Sequence, residues 1–555
     1  MTLASADLPT DPEGLRTFAA ALRAELAEKD LALAARDAEL HAKTLHIEKL
    51  RAELAVLRRA RFGRSSERLD RAIDQLELAI GDLEEGAAEG EARAAAAGRV
   101  GSPATRRHDR RPPGRKPLPG HLPRETVVHE PPCSCPSCGG TVLGRIGEDE
   151  REVLEYVPSY FKVVRHVRPK LSCRACETIV QAPVPPLPIE RGRPGPGLLA
   201  HVLVSKYCDH QPLYRQGVIY ARAGVDLDRS TLADWVGSVV FLLVALARAI
   251  GRHARAGEAV HADDTPVPVL DPGRGRTKTG RLWVLVRDER PWGSAVPPAA
   301  FYLYSPDRKG EHAEELLGGC RGFLHADGYA GFGGLYAPEP GTGTARLAEV
   351  ACWSHARRGL YEVHLATASP IAREALERIA DLFAIERELR GREPEARLDV
   401  RRERSLPLLE ELKAFLDASL ARVSGKGSLA RAIRYALSRW EALTRFTTDG
   451  RLEMSNNAAE RAIRPLALGR KNYLFAGSDA GGRRAAAVYT IVETAKMNGL
   501  DPEAYLADVL ARLADHPANR VDELLPWNWR AGRPPSTPER RADPATPADP
   551  SRGTT

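Results

Sequence analysis

The stretch EAVHADDTPVPVL, Glu258–Leu270, decides how the rest of the chain is read. Its Val content and the Asp271-Pro272-Gly273 turn behind it predict a strand. Two adjacent aspartates, Asp263 and Asp264, interrupt the apolar run. A carboxylate on a buried strand is costly unless something offsets its charge. A divalent metal ion is one such partner, and a strand end open to water is the alternative.

Strand patterns continue at Arg281–Arg287 and Ala299–Tyr304, followed by a helix pattern at Glu311–Leu317. A strand at Gly322–Ala326 ends on Asp327, and Leu347–Cys352 leads into WSHARR and a helix. Helical material with Pro-marked breaks covers about 371–445, and SNNAAERAIRP then predicts a late helix carrying Glu460. Three strands, helix, strand, helix, strand, helix is the order of a ribonuclease H-like core with a helical insertion. In that order Asp263 falls on the first strand, Asp327 at the end of the fourth, and Glu460 on the late helix. Such a core brings the three acids to one spot. Phosphodiester chemistry uses that concentration of carboxylate to hold two divalent ions about 3.5–4 Å apart, and hard oxygen ligands suit Mg(II) or Mn(II). Asn456 and Asn457 precede Glu460 by four and three residues and Arg464 follows by four, so helical spacing puts them on its face. Arg461, Arg464, Arg470 and Lys471 are candidates to grip phosphates there, although any one of them is ordinary on a helix surface.

Upstream, Leu26, Leu33, Leu40, Ile47 and Leu54 recur every seven residues in a stretch free of Pro, a seam that wants a partner helix. That partner is either a second copy or, as a hairpin, residues 66–85. Residues 86–98 are rich in Gly, Ala and Glu and read as unstructured. Between Arg99 and Arg124 the basic residues include Arg106, Arg107, Arg110, Arg111, Arg115 and Lys116, against the single acid Asp109. The excess there equals the formal +7 of the whole 555-residue chain. Six prolines keep this segment extended, as a tether that neutralises phosphates without reading bases or as a solvated linker.

Cys135-x-x-Cys138 and Cys173-x-x-Cys176 supply four thiolates, the set for tetrahedral Zn(II), with two strand-like runs, Val153–Val157 and Phe161–Val167, between the pairs. A redox dithiol is the other use of such pairs, but no thioredoxin-like context surrounds either. Gly197–Ile250 is helical, with Ser230 as a cap for a helix starting near Thr231, and is compatible with a helix-turn-helix. The polar, acidic N-terminus lacks a secretory pattern, and the apolar run Val239–Leu246 is too short to span a bilayer. A cytoplasmic, nucleoid-associated protein without a membrane partner is expected.

HADDTPVPVL, HADGYAGF, CWSHARR, SNNAAERAIRP, GRKNYLFAGS and ETAKMNGLDP together resemble the insertion-sequence 66 family of DDE-type transposases. FGRSSE, GRKPLP, the two Cys pairs and SKYCDHQPLYRQ also match, so the similarity covers nearly all of residues 13–530. The resemblance implies a ribonuclease H-like domain with Asp263, Asp327 and Glu460 as its catalytic, metal-binding triad, supported by Asn456, Asn457 and His355. It implies DNA as partner, both the terminal inverted repeats of the element and its target. It also implies a zinc module, a homo-oligomer on DNA and two small accessory proteins of the same element. Two positions depart from the family pattern: Ser455 stands where Asp is frequent, and Asp264 where Glu is usual. The expected fold class is a multidomain α+β chain: a coiled coil at 13–85, a basic Pro-rich linker at 86–130, a zinc-ribbon-like module at 131–186 and a helical DNA-binding region at 187–255. The α/β catalytic core follows at 256–500, then a helical segment at 501–530 and a tail at 531–555. The expected function is metal-dependent cleavage at element ends and 3′-hydroxyl strand transfer. The rivals are a DNA-binding regulator with an inactive core and a nuclease that cuts without joining.

Overall fold

A computed structural model of the chain describes residues 80–90, 117–158, 160–189, 192–271, 276–339, 343–469 and 476–529, with scattered helical positions between 23 and 94. Most of the leucine heptads, the basic residues Arg106, Arg107, Arg110, Arg111, Arg115 and Lys116, the pair Arg470 and Lys471, and the 531–555 tail lie outside the described residues.

Two mixed sheets organise the remainder. In the first, β2 (Leu143–Val157) and β3 (Tyr160–Cys173) form a long antiparallel hairpin. Here β1 (Arg124–Val128) lies parallel on β3, and β4 (Ile179–Gln181) pairs with the other end of β3. The hairpin is far longer than its apolar runs predict. Its outer half is exposed and charged, so no alternation marks it in sequence. It is held by the backbone ladder and by cross-strand ion pairs such as Lys170–Asp149 at 2.5 Å. Strand β1 also lies inside the stretch expected to be linker.

Three helices follow: Pro196–Tyr207, Leu213–Arg222 and Arg229–Arg255. The last begins two residues before Thr231, with Asp228 at the cap position and no side-chain cap bond, so Ser230 is an interior residue of its first turn. Among the described residues it is the one helix long and apolar enough to cross a membrane. Val239, Val240, Leu243, Leu246 and Ile250 are buried, and the helix packs on the Ala299–Ser305 strand and on the Asp479–Met497 helix.

The expectation that 86–98 is unstructured is corrected at its start, because residues 80–90 form one helix docked on this region. The small residues that read as disorder permit close approach instead. A Cβ on Gly237 would lie 2.9 Å from the Ala88 side chain and collide with the carbonyl of Glu85. The docked helix is acidic and the surface beneath it basic. Glu85 meets Arg484 at 3.2 Å with both side chains 1% exposed, and Glu84 meets Arg229 at 3.3 Å.

The second sheet runs β7-β6-β5-β8-β9. Its strands are β5 (Ala259–Asp271), β6 (Arg276–Arg287), β7 (Ala299–Ser305), β8 (Gly322–Ala326) and β9 (Leu347–Ala351). The first three are antiparallel, while β8 lies parallel to β5 and β9 parallel to β8. The helix expected between β8 and β9 is instead a 3-10 segment, Ala330–Tyr336, whose three glycines disfavour an α-helix. Edge strand β7 is covered by the Asp479–Met497 helix. The Thr490 and Thr494 hydroxyls accept hydrogen bonds from the outward N–H groups of Tyr302 and Ala300 at 3.0 and 3.1 Å, so the edge is not left open.

After the Trp353–Thr367 helix, the helices Pro370–Leu389, Pro394–Val400, Leu406–Arg422 and Ser428–Ser438 build a bundle with its own core. A π turn at Arg401–Ser405 interrupts it. There the buried Arg401 grips Glu386 with both forks at 2.7 and 2.6 Å and reaches the carbonyls of Phe446 and Leu452. The chain returns to the sheet through the Asn457–Gly469 helix, which lies on β5 and β6.

Candidate functional site

Register sets side by side the two histidines that precede the aspartates. His261 of β5 is paired with His325 of β8, and their buried rings stack with centroids 4.1 Å apart. Two residues on from His261 stands Asp263, on the same face of β5, and two residues on from His325 stands Asp327, the first residue past the end of β8.

Asp263 is held with its Oδ1 accepting from the Asp264 amide at 2.8 Å. Burial, with the nearby charges of Asp327, Asp264 and Glu460, pushes its carboxyl up to about 7. Asp327 sits in a tight turn, its Oδ1 accepting from Tyr329 N at 3.0 Å. The turn needs Gly328, whose φ is +83°, and Arg439 binds its carbonyl at 2.9 Å.

Asp264 has a different role. Its side chain is 3% exposed and is gripped by Arg281 at 2.8 Å and by Arg308 at 2.7 Å. Arg308 stacks over the Tyr329 ring at 4.0 Å and also reaches within 4.0 Å of Asp327. It is a cation on the rim of the acid cluster that no sequence signal marked, since it lies in a turn after β7.

Glu460 is in the first turn of the Asn457–Gly469 helix. The expectation that Asn456 shares its outward face is corrected, because Asn456 precedes the helix and is fully buried. Its Nδ2 donates to Ala262 O at 2.8 Å and its Oδ1 takes the Nδ1 of His261 at 3.2 Å, while its own carbonyl accepts from Glu460 N at 3.2 Å. It therefore bolts the helix to β5. Asn457 accepts from the Ser354 hydroxyl at 3.1 Å. His355 Nδ1 lies 3.5 Å from Glu460 Oε1, with Cys352 beside them. Cys352 was not singled out from the sequence, although the C-x-x-H spacing of CWSH was there to be read. Arg464 is exposed, and Arg461 lines a cavity of about 240 Å³ together with Arg387 and Arg390 of the helical bundle.

Asp263, Asp327 and Glu460 are hard oxygen donors of the kind Mg(II) takes, and the desolvated carboxyl of Asp263, with its raised affinity for a proton, is a group whose charge a cation would offset.

The second cluster is sulfur. Cys135, Cys138, Cys173 and Cys176 all lie within 4.8 Å of one another, with Cys135 and Cys176 sulfurs 3.4 Å apart and Cys138 and Cys173 sulfurs 3.6 Å apart. Thiolates 2.3 Å from a tetrahedral zinc stand about 3.8 Å apart. Each pair is bent into a knuckle by a residue of positive φ, Gly139 and Glu177, whose amides return to Cys135 O and Cys173 O at 2.8 Å. The Thr178 hydroxyl and the neighbouring sulfurs lower the Cys176 thiol, while Cys176, Cys173 and Cys135 raise that of Cys138, so the crowded thiols share their protons unevenly. Cys133 is exposed and outside the cluster.

The profile of the IS66 transposase family matches residues 191–484. Profiles of the zinc-finger binding domain of transposase IS66, of "Transposase C of IS166 homeodomain" and of the IS66 C-terminal element match 132–177, 49–127 and 490–527. The chain is 43% identical over 449 residues to the uncharacterized protein y4hP of Sinorhizobium fredii (strain NBRC 101917 / NGR234), covering 79% of this chain and 81% of that one. It is 42% identical over 423 residues to the uncharacterized protein y4qI of the same organism, covering 76% and 78%. A cysteine cluster with zinc geometry, an acid cluster on a mixed sheet and these matches in chain order lead to one conclusion: the chain belongs to the IS66 transposase family, with DNA as its partner.

Proposed function

We propose that this transposase uses a ribonuclease H-like core to cut one strand at each end of its element and to join the freed 3′-hydroxyl to target DNA. The sheet order β7-β6-β5-β8-β9, with three antiparallel strands and two parallel ones, supports the core. The observation that carries the reading is Arg308, which holds Asp264 at 2.7 Å and reaches within 4.0 Å of Asp327, so that the acid pair of β5 and the acid after β8 share one rim.

Asp263, Asp327 and Glu460 would hold two Mg(II) or Mn(II) ions. When bound, such ions activate the attacking oxygen and stabilise the leaving one. The chain's own residues do the rest. Asn456 fixes the distance between the strand of Asp263 and the helix of Glu460, and the stacked histidines keep β5 and β8 in register beneath the acids. Arg308 on the rim and Arg464 on the helix offer charge to the phosphate backbone. The zinc module and the basic segment before it position DNA without chemistry, and the 13–85 coil supports assembly of copies on DNA. The 256–500 span would be the catalytic domain.

Asp327→Asn is expected to abolish strand cleavage and joining of element-end DNA while end binding persists. An Asp327→Asn protein that still cuts would sink the assignment. Cleavage without joined products in the unaltered protein would make it a nuclease, and end binding without Mg-dependent cleavage a regulator.

A further inference from the structure

At the junction of β9 with the Trp353–Thr367 helix, Cys352, His355 and Glu460 aim one donor atom each into a common space. His355 Nδ1 and Glu460 Oε1 are both sealed from solvent and have no hydrogen-bond partner. They lie 3.5 Å apart, beyond the distance of a good N–H···O bond. Leaving two facing polar atoms buried and unbonded costs free energy that a shared partner would recover. Cys352 Sγ is buried beside them and accepts the Asn456 amide at 3.1 Å, the kind of contact that orients a metal-bound sulfur.

We propose that Cys352, His355 and Glu460 form a mixed thiolate–imidazole–carboxylate site for a zinc-class divalent cation. Two ligands at 2.0–2.1 Å from a tetrahedral ion stand about 3.4 Å apart, so His355 and Glu460 are already placed. Sulfur and imidazole select zinc over magnesium, which sets this site apart from the all-oxygen cluster next to it. Ion binding releases the Cys352 thiol proton to solvent and leaves the thiolate on the metal. Glu460 has a second oxygen that remains for Asp263 and Asp327. The ion thus fixes the rotamer of the one acid that arrives on a helix rather than on the sheet. This bearing on catalysis rests on Glu460 being a triad ligand as proposed above, whereas the site itself rests on its three donor atoms.

The test is cadmium-113 NMR of the full chain loaded with Cd(II) as the thiophilic probe. Two resonances from sulfur-ligated ions are expected: a far-downfield one from the four-thiolate cluster, and one further upfield from an ion with a single sulfur, which still lies downfield of any Cd(II) held by carboxylate oxygens alone. His355→Gln and Cys352→Ala should each remove the upfield resonance and leave the other. If Cys352→Ala fails to fold by circular dichroism, His355→Gln, at a half-buried position, decides alone. Saturation at one four-thiolate ion per chain overturns the proposal, as does an upfield resonance that survives His355→Gln. Asp327→Asn should keep both resonances. A missing upfield resonance beside a cleavage-dead Asp327→Asn would therefore sink this site alone, and the reverse result would sink the triad alone.

Discussion

Asn456 Nδ2 donates to the carbonyl of Ala262, the residue before Asp263, at 2.8 Å, while the Asn456 carbonyl accepts from the amide of Glu460. One fully buried side chain thereby sets the spacing between two of the three candidate metal ligands. Replacing it with Ala leaves buried polar groups on β5 unsatisfied and should cost about 1–3 kcal/mol of stability. Asp at this position keeps the size but loses the donor to Ala262, so it should not rescue. Urea unfolding of both variants, with Mg(II) titration of whatever remains folded, checks this. An Asn456→Asp protein with wild-type stability and metal affinity would contradict it.

The raised carboxyl of Asp263 makes metal-free stability depend on pH. This group titrates near 3.8 when unperturbed and at about 7 here, so the folded state holds the proton more tightly than the unfolded state. Its contribution is complete below pH 4 and is lost as pH rises through 7, on the order of 4 kcal/mol across that window. In Mg-free buffer Asp263→Asn should be more stable than the unaltered protein at pH 8 and close to it at pH 4. Denaturant midpoints at the two pH values decide, and a gap that does not grow with pH would refute the assignment of the proton to Asp263.

Removing zinc should melt one end of the first sheet and spare the other. Around the sulfur cluster the buried apolar residues are Cys135, Cys173 and Val180, with Leu143 and Leu171 against them, too few to hold strands unaided. At the opposite end Leu154, Phe161 and Val163 join the main core. After chelation, amides of residues 170–181 should exchange quickly while those of 153–164 stay protected. Uniform loss of protection along β2 and β3 would show that the hairpin folds as one unit.

The acidic 80–90 helix is fastened by the buried pair of Glu85 and Arg484. Arg484→Met alone leaves the buried Glu85 with Lys206 as its remaining cation and should cost about 1.5–3 kcal/mol, the worth of a hydrogen bond to a charged group. Adding Glu85→Leu should recover part of that loss, since an apolar pair replaces an ionic one while Lys206 keeps Asp82 within 3.9 Å. Limited proteolysis near residue 90 gives the readout, with rapid cutting expected in the single variant only. Equal resistance in all three proteins would mean that the pair does not hold the helix.

The sequence by itself determined the element order of the second sheet, because each strand is a short apolar run closed by a turn, and β8 was bounded to the residue. It also determined the sulfur cluster, since C-x-x-C spacing is a local property. Only tertiary structure decided what depends on residues far apart in the chain. The charged half of β2 has no apolar pattern, yet it is a strand because β3 completes its ladder. Gly- and Ala-rich residues 86–90 read as disorder but are helical, because Gly237 leaves room for their backbone. Asn456 looked like a surface neighbour of Glu460 and is a bolt to β5, and Arg308 and Cys352 acquire their surroundings only when β7, β9 and the late helix meet. Periodicity reports which way a residue faces on its own element; which charge or orphaned donor stands opposite is set by the packing of elements the chain brings together from a distance.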